Sequence, residues 1–209
     1  MKLFDRFDKV YCINLDRRPD RLESFNAQVA KYDLGDYTRI SAVDGNNINP
    51  KDYGSNLRPG ELALVLTNLQ IFEDAQKNSY NSILILEDDC IFTEEILNIE
   101  EYFKVLPEDW DMLYMGGNHN THGGWAPPVK INDKVQKLHS TFSTHFIGIN
   151  HNMINLINKF VNHTEQIDVC YTRIQKNYNV YSFYPAIAKQ IVGFSDIQNS
   201  ITDYDWLIK

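Results

Sequence analysis

The chain has 209 residues, 43% of them hydrophobic and 23% charged, with a formal net charge of −8. That length supports one domain with a substantial core, in an ordinary globular balance. The negative charge argues against a nucleic-acid backbone or an anionic membrane as the main partner, and an anionic substrate would need local positive charge or a metal. Cys12, Cys90 and Cys170 lie far apart without CxxC spacing, so reduced, buried thiols are expected, with neither a disulfide frame nor a zinc knuckle. No apolar run approaches the ~18–20 residues of a membrane span, and the opening "MKLFDRFDKV" is charged too early for a signal peptide. A soluble cytoplasmic protein with no integral membrane segment is the expectation; oligomeric state leaves no signal.

Along the chain, "KVYCINL" is a short β-branched and aromatic run, read as a buried strand. In "RRPDRLESFNAQVAKYDL" the apolar residues Leu22, Phe25 and Val29 recur at spacings of three and four, which predicts an amphipathic helix with Pro19 in its first turn. "YTRISAVDG" reads as a second strand closed by the turn signal Asp44-Gly45, and "NNINPKDYGSNLRPG" as loop. "ELALVLTNLQIFEDAQK" has helical periodicity, "ILIL" is the next strand, and "EEILNIEEYFKVL" is a helix ending before Pro107. "DMLYMGG" is a strand entering a Gly-rich loop, "VQKLHS" and "THFIGIN" read as a strand pair, and "HNMINLINKFV" as a helix. Strands alternating with helices imply βαβ units and a single α/β domain with a central, mostly parallel sheet. Ligands of such sheets bind beyond the carboxyl ends of the strands. The charged ends Leu15-Asp16-Arg17, Ala42-Val43-Asp44 and Glu87-Asp88-Asp89 therefore point toward one crevice.

The last of these is the sharpest feature. In "SILILEDDCIF" four apolar residues run into three carboxylates, which repel one another and are costly to desolvate unless something positive lies between them. Strand alternation would turn Glu87 and Asp89 to one side and Asp88 to the other. Carboxylate oxygens suit Mn²⁺ or Mg²⁺ rather than zinc, with open positions for phosphate oxygens, and the adjacent Cys90 belongs to the apolar run that resumes after them. The plainer reading is that the acids end a strand and cap the following turn.

Taken together, "VYCINLDRRPDRLESF", "ISAVDG", "RPGELALVLTNLQIF", "ILILEDDCIF", "DWDMLYMGG", "STHFIGINHNMINLI" and "YPAIAKQIVGFSDIQNS" resemble, in order, the blocks of glycosyltransferase family 25. That family contains bacterial lipooligosaccharide galactosyltransferases and procollagen galactosyltransferases. The resemblance implies a GT-A, Rossmann-like nucleotide-diphospho-sugar transferase fold. It also implies inverting transfer from a UDP-hexose, galactose or glucose, with Mn²⁺ or Mg²⁺ as cofactor. The acceptor would be a hydroxyl on a glycan or on hydroxylysine of a collagen-like protein. Glu87, Asp88 and Asp89 would be the metal- and ribose-binding motif, with Asp89 foremost as a direct metal ligand. Residues 1–116 would form the nucleotide-sugar half and 117–209 the acceptor-side half. Where the family usually has Ser-His before the acidic motif, this chain has Thr67-Asn68, and Asn cannot titrate near neutral pH. A weakly active nucleotide-sugar or glycan-binding module and a UDP-sugar hydrolase are the alternatives.

Further roles follow with a plainer reading beside each. Asn14, Arg17 and Arg21, with Arg18, would hold the donor through fork-shaped donors, or else line a solvated helix face. Asp44 would contact the donor or only form its turn. Glu61 is either a helix-start acid or a sugar contact. Asp168, matching a late aspartate of the family, would be the base that takes the acceptor proton. Asp196 is the second candidate, and could instead bind the metal or close the tail over the donor. His145 would be a third metal ligand or a hydrogen-bonded core residue. His119 and His122 lack further zinc partners and would belong to an acceptor loop, where Trp125 would stack on a sugar or anchor the loop.

Overall fold

Strand β1 (Lys9–Asn14) is buried along nearly its whole length, as a continuous apolar run in a central strand must be. The computed structural model describes residues 1–118, 126–157, 159–198 and 200–203. After β1 come α1 (Pro19–Lys31), β2 (Thr38–Ser41), α2 (Pro59–Lys77), β3 (Ser82–Glu87), β4 (Cys90–Phe92), α3 (Ile99–Lys104), β5 (Met112–Asn118), β6 (Val129–Lys130) and β7 (Val135–Lys137). Then follow β8 (Phe142–Asn150), α4 (His151–Ile157), α5 (Ile167–Gln175), β9 (Val180–Phe183), β10 (Ala188–Gln190), β11 (Gly193–Ser195) and β12 (Ser200–Thr202).

Eight strands form one sheet in the order β2-β1-β3-β8-β5-β9-β7-β6. β1 pairs in parallel with β2 and β3, and β5 with β9, while β8 and β7 run against their neighbours. The sheet is thus mixed, with most strands pointing one way, as the alternating elements predict. One expected pairing is corrected: β7 and β8 are not partners, because β7 joins β9 and β6 while β8 inserts between β3 and β5. A period-2 pattern marks a strand but carries no information about its neighbour.

Alternation along the strands feeds two cores. Val10, Cys12, Leu84 and Leu86 pack with Phe25 of α1 and Tyr102 of α3 on one face. Tyr11, Ile13, Ile83 and Ile85 pack with Phe72 of α2, Ile154 of α4 and Tyr171 of α5 on the other. Each such fully buried side chain contributes roughly 1.5–3 kcal/mol. Pro19 and Pro59 open α1 and α2, where a missing N–H costs nothing. The three cysteines are free and buried. Among the described residues no helix is long and apolar enough to cross a membrane.

Candidate donor site at the carboxyl edge of the sheet

The parallel register of β1 with β2 and β3 sets Asn14 opposite Ser41 and Ile13 opposite Glu87, so three strand ends finish at one edge. A cleft of about 580 Å³ opens there. It is lined by Asn14, Arg17, Arg21, Asp44, Glu61, Glu87, Asp88, Asp89, Asp168 and Asp196, ten of the residues singled out from sequence.

The acidic motif does not follow strand alternation. β3 stops at Glu87 and a turn carries Asp88 and Asp89 into β4, so all three carboxylates line the cleft instead of splitting between faces. Glu87 accepts a hydrogen bond from Thr144 Oγ1 at 2.6 Å. Asp88 accepts from Asn14 Nδ2 at 2.6 Å and Arg21 Nη1 at 3.2 Å. Asp89 lies 3.7 Å from Arg21, and its Oδ1 is buried without a hydrogen-bond partner. Burial, then the charge of Asp89, pushes Glu87 up to about 8; burial raises Asp89 to about 6.

Raised carboxyl pKa values make the folded state bind protons more tightly than the unfolded one. Their stabilisation is complete below the unfolded pKa, 4.5 for Glu87, and is lost as pH rises through about 8. At about 1.4 kcal/mol per pK unit, the metal-free protein should lose several degrees of Tm between about pH 5 and pH 9. Glu87→Gln should flatten that slope in thermal melts across the range. An unchanged slope in the variant would remove Glu87 as its source.

The arginines stand opposite. Arg17 bonds Asp44 at 2.9 Å and Asp196 at 2.6 Å, and Arg18 bonds Asp196 at 2.6 Å. Burial works to raise Asp196, but these two hydrogen bonds outweigh it and hold the carboxyl below its usual range. Asp44 also caps the short turn of Gly45–Asn47 through Asn46 N, so it serves the turn and the cleft wall together. Glu61 closes a capping box at the start of α2: it accepts from Arg58 N and Nε at 2.9 Å each and from Gln166 Nε2 at 2.5 Å. Asp168, in the first turn of α5, accepts from Val169 N at 2.8 Å and from the N–H of Ser143, and burial raises its pKa.

His145 is buried but does not line the cleft; a Cβ built on Gly116 would fall 2.5 Å from its Nε2, so its ring rests on β5. Asn68, in the position where the family usually has His, bonds the Leu64 carbonyl of its own helix and does not line the cleft. Thr67 does line it and accepts from Val43 N at 3.0 Å. His119, His122 and Trp125 lie outside the described residues. Sequence reasoning missed Ser143, Thr144, Gln166, Gln190 and Phe194, which also line the cleft. Ser143 has φ 71°, a left-handed conformation costly for a residue with a Cβ, and no sequence pattern announces it.

Seven carboxylates and three guanidinium groups line this cleft among the described residues, so it repels anions unless a cation joins it. No three side chains among the described residues stand as a ready metal cluster. The orphaned Asp89 oxygen and the raised Glu87 nevertheless suit a hard divalent ion that keeps open positions for substrate oxygens.

The acid-lined cleft thus lies at the carboxyl edge of a mixed α/β sheet, where ligands of such sheets bind. The model of glycosyltransferase family 25 (LPS biosynthesis protein) matches residues 7–167. The chain belongs to glycosyltransferase family 25 and has that family's α/β, GT-A architecture. It is 28% identical to procollagen galactosyltransferase 1 of Danio rerio over 53% of this chain and 21% of that one. It is 29% identical to the human inactive glycosyltransferase 25 family member 3 over 53% of this chain and 22% of that one. The chain thus spans about a fifth of the length of these curated relatives. Among solved structures it is similar to a Drosophila β1,4-galactosyltransferase 7 mutant in complex with manganese, UDP-Gal and xylobiose. That likeness has a TM-score of 0.48 at 10% identity, covering 96% of this chain and 79% of that one. It is also similar to A197 from STIV, with a TM-score of 0.46 at 13% identity, covering 83% and 80%.

Proposed function

We propose that the chain is a metal-dependent, inverting glycosyltransferase that moves a hexose, galactose or glucose, from a UDP-sugar to a hydroxyl of a glycan or of hydroxylysine in a collagen-like protein. The observation that carries this is the excess of carboxylates in a cleft walled by arginines. It is a poor site for a bare diphosphate and a good one for a diphosphate bound with a divalent cation. The relatives' names support galactose; the family's description supports a glycan acceptor.

In this reading Asn14, Arg17 and Arg21 hold the donor's ribose and diphosphate, with Asp44 and Asp88 orienting the arginines. Asp89 and Glu87 would hold Mn²⁺ or Mg²⁺, which when bound would neutralise charge gathering on the departing diphosphate. Asp168, raised by burial, takes the proton of the acceptor hydroxyl. The acceptor oxygen bonds to the anomeric carbon from the opposite face, and the carbon–oxygen bond to the diphosphate breaks with its electron pair leaving on UDP. Asp196, held ionised by two arginines, is the weaker proton acceptor. Glu61 acts as a helix cap that fixes Gln166 beside the cleft. Residues 1–116 supply the donor side, and 117–209 the acceptor side through Asp168.

The test is UDP release from a panel of UDP-sugars, with and without Mn²⁺ and with and without a glycan or hydroxylysine acceptor. Release that needs one donor, Mn²⁺ and an acceptor is expected. Equal release without acceptor would mean a hydrolase. UDP binding with no release for any acceptor would favour a binding module, the reading that Asn68 and the inactive human relative keep in play.

A further inference from the structure

We propose that the carboxylate of Asp196 is an internal stand-in for the donor's diphosphate, and that an anion taken up by Arg17 and Arg18 displaces it and releases the β11–β12 strap from the mouth of the cleft. This deepens the donor-site reading and rests on it for the identity of the anion.

Asp196 Oδ1 takes Arg17 Nη1 at 2.6 Å, Oδ2 takes Arg18 Nη1 at 2.6 Å, and Arg21 Nη2 stands 3.8 Å from Oδ2. Three guanidinium groups from the end of β1 and the first turn of α1 thus converge on one carboxylate that is 8% exposed. Forked donors at this edge of an α/β sheet are suited to phosphate oxygens, and here a carboxylate from the far end of the chain occupies them.

The segment that brings it stands apart from the main sheet. β11 and β12 form a two-stranded sheet of their own, separate from the eight-stranded one. Phe194 and Ile201, paired across it, are 47% and 79% exposed. The Phe194 carbonyl accepts from Arg21 at 2.5 Å, and the backbone of Ile197 lies against Gly60, where an added Cβ would sit 2.9 Å from its Cα. The arginine cluster is therefore part of what holds the strap down, and a stronger anion there competes with it directly.

Inorganic pyrophosphate in the presence of excess Mg²⁺ is the probe, titrated by calorimetry into the wild type, Asp196→Asn and Gly60→Ala. The last variant pushes the strap away while leaving every charge in place. A strap closed about 90% of the time weakens apparent anion affinity about tenfold, so both variants should bind about tenfold more tightly. In Ile197→Cys, alkylation by a maleimide should quicken severalfold when pyrophosphate is added, since the native thiols are buried. Unchanged or weaker binding in both variants, or slower alkylation with pyrophosphate, overturns the proposal and makes the strap a lid that closes on its ligand. Tighter pyrophosphate binding in a protein that turns over no UDP-sugar would keep the stand-in and sink the transferase. Turnover with unchanged pyrophosphate affinity in the variants would do the reverse.

Discussion

Asp89→Asn is expected to lower UDP-sugar turnover about a thousandfold, the loss of roughly 4 kcal/mol of transition-state stabilisation. The variant keeps the size and shape of the side chain and removes the charge that a divalent cation would share. The same substitution should leave the metal-free protein as stable as the wild type or more so, because it removes a desolvated carboxylate whose Oδ1 has no partner. Added Mn²⁺ should raise the Tm of the wild type and not that of the variant. Lost activity with raised stability is the signature of a site built for function. More than a tenth of wild-type turnover in the variant, or an equal Mn²⁺ shift in both proteins, would exclude Asp89 as a ligand.

Asp168→Asn should cost about a hundred- to ten-thousandfold in kcat, the usual worth of a general base, with little change in the KM of the donor. Its carboxylate sits in the first turn of α5 and is steadied by Val169 N and by the strained Ser143. Burial there raises its affinity for a proton, as a base working near neutral pH requires. A variant that keeps kcat and raises only the acceptor KM would make Asp168 an acceptor-binding group and return the base to Asp196.

Much of this site was legible because its parts are local. Asn14, Arg17, Asp44 and Glu87–Asp89 each follow an apolar strand run, and in a parallel sheet such ends gather at one edge whatever the rest of the chain does. Asp168 had no such signal of its own; it came from resemblance. His145, read as a third metal ligand or a hydrogen-bonded core residue, is buried outside the cleft lining, because period-2 alternation tells which residues share a strand face but not which cavity that face meets. Ser143 and Thr144 went unnoticed because a left-handed serine and a threonine bonded to Glu87 depend on β8 running antiparallel between β3 and β5, a pairing absent from any local pattern.

The sequence by itself determined the α/β class, the helix starts at Pro19 and Pro59, the buried thiols and the concentration of acids after β3. Each of these follows from short-range chemistry: apolar periodicity, a missing amide proton, or adjacent charges that must find a counter-charge. Only the tertiary structure decided that a turn would bring all three acids into one cleft, that Glu61 would both close a capping box and line that cleft, and that Asp196 would cross the molecule to lie between Arg17 and Arg18. Those outcomes depend on which strand lies beside which, and long-range pairing is set by the packing of both cores at once.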